Sequence, residues 1–156
     1  MQAYLEPSWE AGRDLVARGI AGEVVMLNLL RLRSVADYAA HPDLAPEGPI
    51  SGAEAFDRYV AHTRPYLEAS GGSLLFLAEG GPFLIGPQSE RWDRAMLVRQ
   101  RSVADFIAFA GNAAYLAGIG HRTAAVEDSR LLPLVSRPFQ GEAGKTAIAG
   151  TPGRAA

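Results

Sequence analysis

The sequence predicts a single α+β domain, a split β-α-β sandwich with an extra helix at its N-terminus. Three observations lead to this prediction. The chain has 156 residues, of which 48% are hydrophobic and 21% charged, a balance typical of one globular domain. Apolar stretches next to glycine alternate with stretches that begin in a helix-capping signature, in the order α-β-α-β-β-α-β. In the predicted strands, the residues at odd and at even positions are both apolar, so both faces of the sheet are expected to be covered.

The first part of the chain predicts a short helix and a strand. Ser8 is a candidate N-cap for the helix, which is expected to end before Gly19. Residues 23–33, EVVMLNLLRLR, follow glycine and begin with β-branched side chains, which favours a strand. Ser34 and Asp37 then form a capping signature that predicts one or two helical turns, followed by a proline-rich loop.

The middle of the chain predicts a long helix and two strands. An S-x-x-E capping signature at residues 51–54 precedes an apolar stripe of helical spacing. The members of the stripe are Phe56, Tyr59, Val60, Thr63 and Leu67. Residues 73–79 predict a strand, residues 80–82 a turn and residues 83–86 a continuation of the hairpin, while residues 91–101 predict the third main strand.

The last part of the chain predicts short helices and a final strand. A capping signature at residues 102–105 begins a helix that Asn112 is expected to interrupt. Residues 121–127 predict another short helix, and residues 129–136 predict the last strand. Pro133 cannot donate a backbone hydrogen bond, so this strand is expected at an edge of the sheet or at a bulge.

These elements predict one domain over residues 1–136. Residues 137–156 are small, with scattered glycine and proline and no apolar periodicity, so they predict a mobile C-terminal tail. The first ten residues lack the apolar centre of a signal peptide, and no apolar run approaches the ~20 residues that cross a membrane. We therefore expect a cytoplasmic protein that does not act on a membrane.

The composition excludes several classes of function. A net charge of −2 does not supply the basic face that nucleic acid requires. The chain contains no cysteine, which excludes disulfides, thiol catalysis and thiolate metal sites. The three histidines, His41, His62 and His121, lack the spacing of a metal-ligand motif. We expect no metal, no cofactor and no nucleic-acid partner.

The predicted first strand carries apolar side chains on both of its faces. The residues of one face are Val24, Met26, Asn28 and Leu30, and those of the other are Val25, Leu27 and Leu29. The predicted helices are too few and too short to cover both faces of a sheet. Since monomers seldom expose large apolar patches, a second copy of the sheet is expected to cover one face, which predicts a homodimer.

Four segments of the chain resemble the family catalogued as domain of unknown function 1330. They are residues 24–31, 51–59, 81–93 and 118–134. The resemblance implies the dimeric α/β-barrel superfamily, in which two ferredoxin-like protomers close their sheets face to face and leave a pocket between sheet and helices. Relatives in that superfamily include cofactor-free monooxygenases, small-molecule isomerases and haem-degrading enzymes. The resemblance implies a fold and a pocket, and no particular substrate.

Asn28 is the one amide within the apolar first strand. A buried amide without partners costs about 1–3 kcal/mol, so Asn28 is expected to be paired. It resembles the first-strand Asn that some monooxygenase relatives direct into their pocket, where the amide can hold an oxygen atom of substrate or of dioxygen. The alternative is a structural Asn that bonds to a neighbouring loop.

Two arginines and a tryptophan are further candidates. Arg31 and Arg33 end the first strand, and a guanidinium at the mouth of a pocket suits a carboxylate or an enolate. The alternative is a strand-end charge paired with Glu54 or Asp57. Trp92 is a candidate pocket wall, or else a core or interface residue. Haem-degrading relatives combine an Asn, a Trp and a His, but no His closely follows Trp92, so haem is not expected.

A tyrosine on the long helix and a histidine near the C-terminus complete the set. Tyr59 is a candidate ligand-binding residue. His121 is a candidate general base because imidazole titrates near neutrality, and the alternative is a structural histidine. Asp128 and Arg130 are expected to join His121 or Arg122 in an ion-pair network.

The sequence thus predicts a homodimer with a pocket for a small organic molecule, of which a cofactor-independent monooxygenase-like or isomerase-like enzyme is one form. The catalytic candidates are Asn28, Arg31 and His121, and the ligand-binding candidates are Tyr59 and Trp92. The alternative is a non-catalytic homodimeric binding or interaction module.

Overall fold

The computed structural model describes residues 2–139. Within them, four strands form one sheet: β1 Val24–Leu32, β2 Ser73–Pro82, β3 Arg91–Gln100 and β4 Val126–Leu134. The helices are α1 Trp9–Ala17, α2 Gly52–Ala69, α3 Val103–Ala110, α4 Ala113–Leu116 and α5 Ile119–Ala125, and a 3-10 turn spans Pro42–Leu44.

The strands lie in the order β2-β3-β1-β4, and each neighbouring pair is antiparallel. β1 and β2 therefore run in the same direction with β3 between them, and α2 makes the crossover of a split β-α-β unit. This is the strand order of the ferredoxin-like sandwich, so the predicted α+β fold class is confirmed.

The core lies between the sheet and the helices that follow β1. Side chains alternate along a strand, and the even-numbered residues of β1 face the helices, with Leu30 and Leu32 in the core. We call this side of the sheet the helix face and the opposite side the open face. Other buried members of the core are Tyr38, Ala55, Phe56, Tyr59, Leu67, Met96, Phe109 and Tyr115.

The strand register places four apolar side chains in one row across the open face. This apolar row consists of Phe76, Leu97, Leu27 and Leu132, which follow one another from β2 to β4. Phe76 and Leu132, which lie at the two ends of this row, are 51% and 53% exposed. Both faces of β1 are apolar, as predicted, but the described chain buries mainly the helix face.

The three longest helices, α1, α2 and α3, each begin at a serine that the sequence predicts as the N-cap. The Ser8 hydroxyl accepts from the backbone N–H of Ala11, and the Ser51 and Ser102 hydroxyls accept in the same way three residues downstream. Gly52 follows the second cap, and a Cβ there would collide with the backbone carbonyl of Arg33. The N-terminus of α2 therefore packs directly on the end of β1.

Three predicted elements are wrong. Residues 34–37 do not form helical turns, because the N–H of Ala36 donates to Ile50 and that of Asp37 donates to Ala124, each at 2.9 Å. These long-range bonds use the groups that a helical turn needs. Residues 80–82 form the end of β2 and not a turn. Residues 83–86 therefore belong to the connection to β3 and do not continue the hairpin as a strand.

β4 begins at Val126, three residues earlier than predicted, directly after α5. It lies at the edge of the sheet, which confirms the interpretation of Pro133. The carbonyl of Pro133 accepts a hydrogen bond from Arg18 at 3.3 Å on the outer side of this edge. Further along, the N–H of Ser129 donates to the carbonyl of Tyr4 at 3.0 Å, so the N-terminal segment covers part of the same edge.

The predicted tail falls mostly on residues 140–156, which lie outside the described residues, and the domain boundary after residue 136 stays a prediction. No single helix within residues 2–139 has the length and apolar character to cross a membrane. One bent pair, Val103–Ala110 with Ala113–Ala125 at 52°, has them jointly, by length and composition only.

Candidate functional site

Asn28 lies on the helix face, in the middle of a second row across the sheet. This Asn28 row consists of Leu77, Met96, Asn28 and Leu131, in the order β2, β3, β1, β4. Met96 is buried, whereas Leu77 and Leu131 are 43% and 44% exposed. The helices therefore cover the centre of the row and leave its two ends accessible.

The Asn28 amide is only partly used by the protein. Its Nδ2 donates to the carbonyl of Met26, two residues back on the same strand, at 3.2 Å. No residue between positions 2 and 139 donates to its Oδ1. Because Asn28 is half-buried among apolar neighbours, its amide presents one acceptor and one further donor beside an apolar surface.

Arg31 and Trp92 lie together, but away from Asn28. Positions 28 and 31 differ by an odd number, so regular alternation directs Arg31 to the open face. The Arg31 guanidinium lies 5.7 Å from the centre of the Trp92 ring, and that of Arg130 lies 5.0 Å from it. Both arginines also bond to Asp128, at 3.2 and 2.7 Å. We call these four residues the Asp128 cluster.

The Asp128 cluster is saturated with internal bonds. The Asp128 side chain is fully buried, and its carboxylate accepts from the backbone N–H groups of Tyr4 and Ser129, each at 2.8 Å. Burial by itself would raise the pKa of Asp128, but these hydrogen bonds and the nearby Arg130 lower it below its ordinary value. The cluster ties the N-terminal segment to β4 and to β1, which is a structural role.

Other expected ion pairs are replaced. Asp57 pairs with Arg94 at 2.7 Å, and not with Arg31 or Arg33. Arg122 donates to the carbonyl of Leu5 at 2.9 Å, so it takes no part in the Asp128 cluster. The sequence could not identify these partners, because each lies on a different element from the residue it meets.

Tyr59 is directed into the core. Its hydroxyl is 2.8 Å from that of Tyr115, and both side chains are buried. Burial, followed by the neighbouring Tyr59, raises the pKa of Tyr115 far above its ordinary value. The two hydroxyls therefore satisfy each other as neutral groups and hold α2 to α4.

His121 lies on α5 and bonds to a residue that the sequence did not indicate. Its Nδ1 is 2.8 Å from the hydroxyl of Tyr38, in the segment after β1. Burial lowers the pKa of His121 below its ordinary value, and the charges of Arg58 and His62 lower it further. The neutral imidazole is therefore favoured. No cluster of three or more His, Asp or Glu within the described chain could hold a metal ion.

The structure thus divides the five predicted site residues into separate places. Arg31 and Trp92 meet in the Asp128 cluster, Asn28 lies on the helix face, and Tyr59 and His121 belong to the helix layer with different partners. The sequence does carry a signal for the separation of Asn28 from Arg31. Their positions on β1 differ by an odd number, and side chains alternate between the two faces of a strand.

We expect Asp128→Asn to lower the free energy of unfolding at pH 7 by about 3 kcal/mol, because it leaves two guanidiniums without their shared buried carboxylate. Asp57→Asn, which breaks an exposed pair, is the control and is expected to cost below about 1 kcal/mol. The folded-state pKa of Asp128 is lowered, so its contribution is complete above the ordinary value of 3.8 and is lost as the pH falls through the folded pKa.

Urea unfolding of the wild type and both variants at pH 7 and pH 3 measures these differences. The gap between wild type and Asp128→Asn is expected to narrow at pH 3. Equal losses for Asp128→Asn and Asp57→Asn at pH 7 would show that the Asp128 cluster does not stabilise the fold.

Comparisons with known proteins give structural relatives. No family model and no curated protein matches the chain. The crystal structure of RPA0582, a protein of unknown function from Rhodopseudomonas palustris, is 34% identical, with a TM-score of 0.76, over 88% of this chain and 100% of that one. The methylated form of RPA0582 gives the same identity and TM-score over 93% and 100% of the two chains.

A dabb family protein with a ferredoxin-like fold from Mesorhizobium loti is 12% identical, with a TM-score of 0.47, over 75% of this chain and 99% of that one. The match to the Rhodopseudomonas palustris protein is of a different order, since it combines 34% identity with the whole length of that protein. The chain therefore belongs to the same family as this Rhodopseudomonas palustris protein of unknown function.

Proposed function

We propose that the chain forms a homodimer through its open face and binds a small organic molecule on its helix face, beside Asn28. The observation that carries the ligand proposal is the half-buried Asn28 amide, whose Oδ1 has no partner in the described chain and whose row is apolar. Ligand sites are typically apolar with a few placed polar groups, and the Asn28 row has this character.

The apolar row supports the homodimer. Phe76, Leu97, Leu27 and Leu132 form a line across all four strands, and the row's two outer members are about half exposed. Monomers seldom leave such a surface in water, and a two-fold axis would place the same row of a second copy on it. Two sheets packed face to face would bury the row on both copies.

The amide favours a particular kind of ligand. Asn28 offers an acceptor and a donor but no charge, so it suits a hydroxyl or carbonyl oxygen on an otherwise apolar molecule. Asn28 resembles the first-strand Asn that some monooxygenase relatives in the dimeric α/β-barrel superfamily direct into their pocket, and that resemblance favours the same site. A cytoplasmic, cofactor-independent monooxygenase-like or isomerase-like reaction is the form of the proposal that treats the protein as an enzyme.

A non-catalytic homodimeric module is the second candidate. Three predicted site residues make their contacts within the protein, which favours this second candidate. Arg31 and Trp92 belong to the saturated Asp128 cluster, and Tyr59 bonds to Tyr115. In this second case the apolar row is the functional surface, and the Asn28 amide serves only β1.

The homodimer is tested with Leu132→Glu, which places a charge in the apolar row. We expect the wild type to sediment at about twice its mass of 16.6 kDa, and Leu132→Glu to sediment as a monomer, because burying an unpaired carboxylate is costly. Val35→Glu is the matched control, since Val35 is 61% exposed in the loop after β1. A wild type that stays monomeric at micromolar concentration would contradict the homodimer.

The ligand site is tested with Asn28→Leu. We expect it to abolish retention of the molecule that the wild type captures from the small-molecule fraction of a cell extract, measured by native mass spectrometry. Stability should stay or rise, because leucine suits the apolar row. The control is Asn112→Ser, which changes the chain's other asparagine but keeps a favoured N-cap.

The opposite result separates the two candidates. If Asn28 is structural, Asn28→Leu should lower the free energy of unfolding by about 1–3 kcal/mol, and the set of retained masses should not change. That outcome would contradict the ligand proposal and leave the non-catalytic module.

A further inference from the structure

We infer that Arg58, His62 and His121 form a binding site for a small oxyanion, a carboxylate or a phosphate, where α2 packs against α5. None of these residues belongs to the Asn28 row or to the apolar row, so this site does not depend on the proposed ligand of Asn28. The inference stands on the positions of the three side chains, on their hydrogen bonds and on the lack of a counter-charge.

Arg58 and His62 present their side chains on the same side of α2, because they lie one helical turn apart. The His62 Nε2 is 2.8 Å from the carbonyl of Ala114, which fixes the ring against α4. Gly118 makes this approach possible, since a Cβ at that position would collide with the His62 ring. Gly52 at the start of α2 lies against the carbonyl of Ala125 at the end of α5, and His62 lies against Gly118 at its start, so the two helices run antiparallel. Arg58 lies between these two contacts on α2, as His121 does on α5.

His121 supplies the third group from α5 itself. Its Nδ1 is held by the Tyr38 hydroxyl at 2.8 Å, and the two rings meet edge to face with centres 5.6 Å apart. When the hydroxyl donates to Nδ1, the neutral imidazole carries its hydrogen on Nε2, and the protonated imidazole carries one there as well. Within residues 2–139, Nε2 has no hydrogen-bond partner, so a donor is left for a ligand.

Arg58 has no counter-charge in the described chain. Arg64 on the same helix pairs with Glu68 four residues later, and Arg101 pairs with Asp105 in the same way. Glu54 lies one turn before Arg58, yet no ion pair joins them within the described chain. A guanidinium is well shaped for carboxylate and phosphate oxygens, which makes an oxyanion the matching ligand.

The local electrostatics agree with this choice. Burial is the largest cause of the lowered pKa of His121, and the charges of Arg58 and His62 follow in that order. Burial raises the pKa of Tyr38, and the charge of Arg58 opposes that rise. The ionisable groups that act on the pKa of His121 are therefore Arg58 and His62, beside the Tyr38 hydroxyl that bonds to its Nδ1. A bound oxyanion would oppose both positive charges and favour the imidazolium.

Proton NMR of the imidazole C2–H groups tests the site, because the chain has only three histidines. The resonance of His121 is assigned by its loss in His121→Gln. Titrations are recorded in chloride, acetate and phosphate at equal ionic strength, for the wild type, Arg58→Gln and Arg64→Gln. Arg58 and Arg64 are both exposed on α2, so these two variants form a matched pair, and the His41 and His62 resonances report whether each is folded.

In the wild type and in Arg64→Gln, we expect acetate or phosphate to raise the pKa of His121 by about one unit relative to chloride. Arg58→Gln should abolish that rise. A response to phosphate alone assigns a phosphate site, and a response to acetate alone assigns a carboxylate site. A His121 titration that is the same in all three salts, or a rise that persists in Arg58→Gln, would overturn the inference.

Discussion

The structure depends on β1, a central strand that is apolar on both faces. Val24, Met26 and Leu30 are buried on the helix face, while Leu27 and Leu29 lie on the open face between β3 and β4. One layer of short helices can cover only one side of a four-stranded sheet. The helices therefore bury one face of β1, and the apolar row on the open face is left without a covering layer in the described chain.

The alternation along β1 also organises the polar groups. Asn28 occupies an even position, so its amide lies under the helices among apolar neighbours, where a ligand oxygen is a suitable partner. Arg31 occupies an odd position, and its guanidinium pairs with Asp128 and lies over the Trp92 ring, which stabilises the end of the sheet. A single strand thus separates a candidate binding surface from a structural ion cluster, although the two begin only three residues apart.

The elements of the fold could be predicted because their signals are local. Serine caps, glycine stops and apolar stripes lie within a few residues of the structure that they specify. One hexapeptide nearly recurs in the chain, as RSVADY at residues 33–38 and RSVADF at residues 101–106, and its two copies show where local signals fail. The second copy begins α3 at Ser102, but the first copy, at residues 33–38, forms no helix, because its backbone N–H groups bond to distant segments.

The site could be predicted only in part. A lone amide in an apolar strand is visible in the sequence, and it makes Asn28 a candidate site residue. The pairing of Tyr38 with His121 joins residues 83 positions apart, and that of Arg31 with Asp128 joins residues 97 positions apart. No local spacing encodes these partners, since they depend on how α5 and β4 are placed beside β1.

The central claim is that a second copy of the sheet completes the first. Isotope-filtered NOE spectroscopy on an equal mixture of labelled and unlabelled chains detects contacts between protomers only. This packing of two open faces predicts intermolecular NOEs among the methyl groups of Leu27 and Leu97, on the two central strands, and of Leu132, on the edge strand β4. Intermolecular NOEs confined to other surfaces, or none at millimolar concentration, would contradict it.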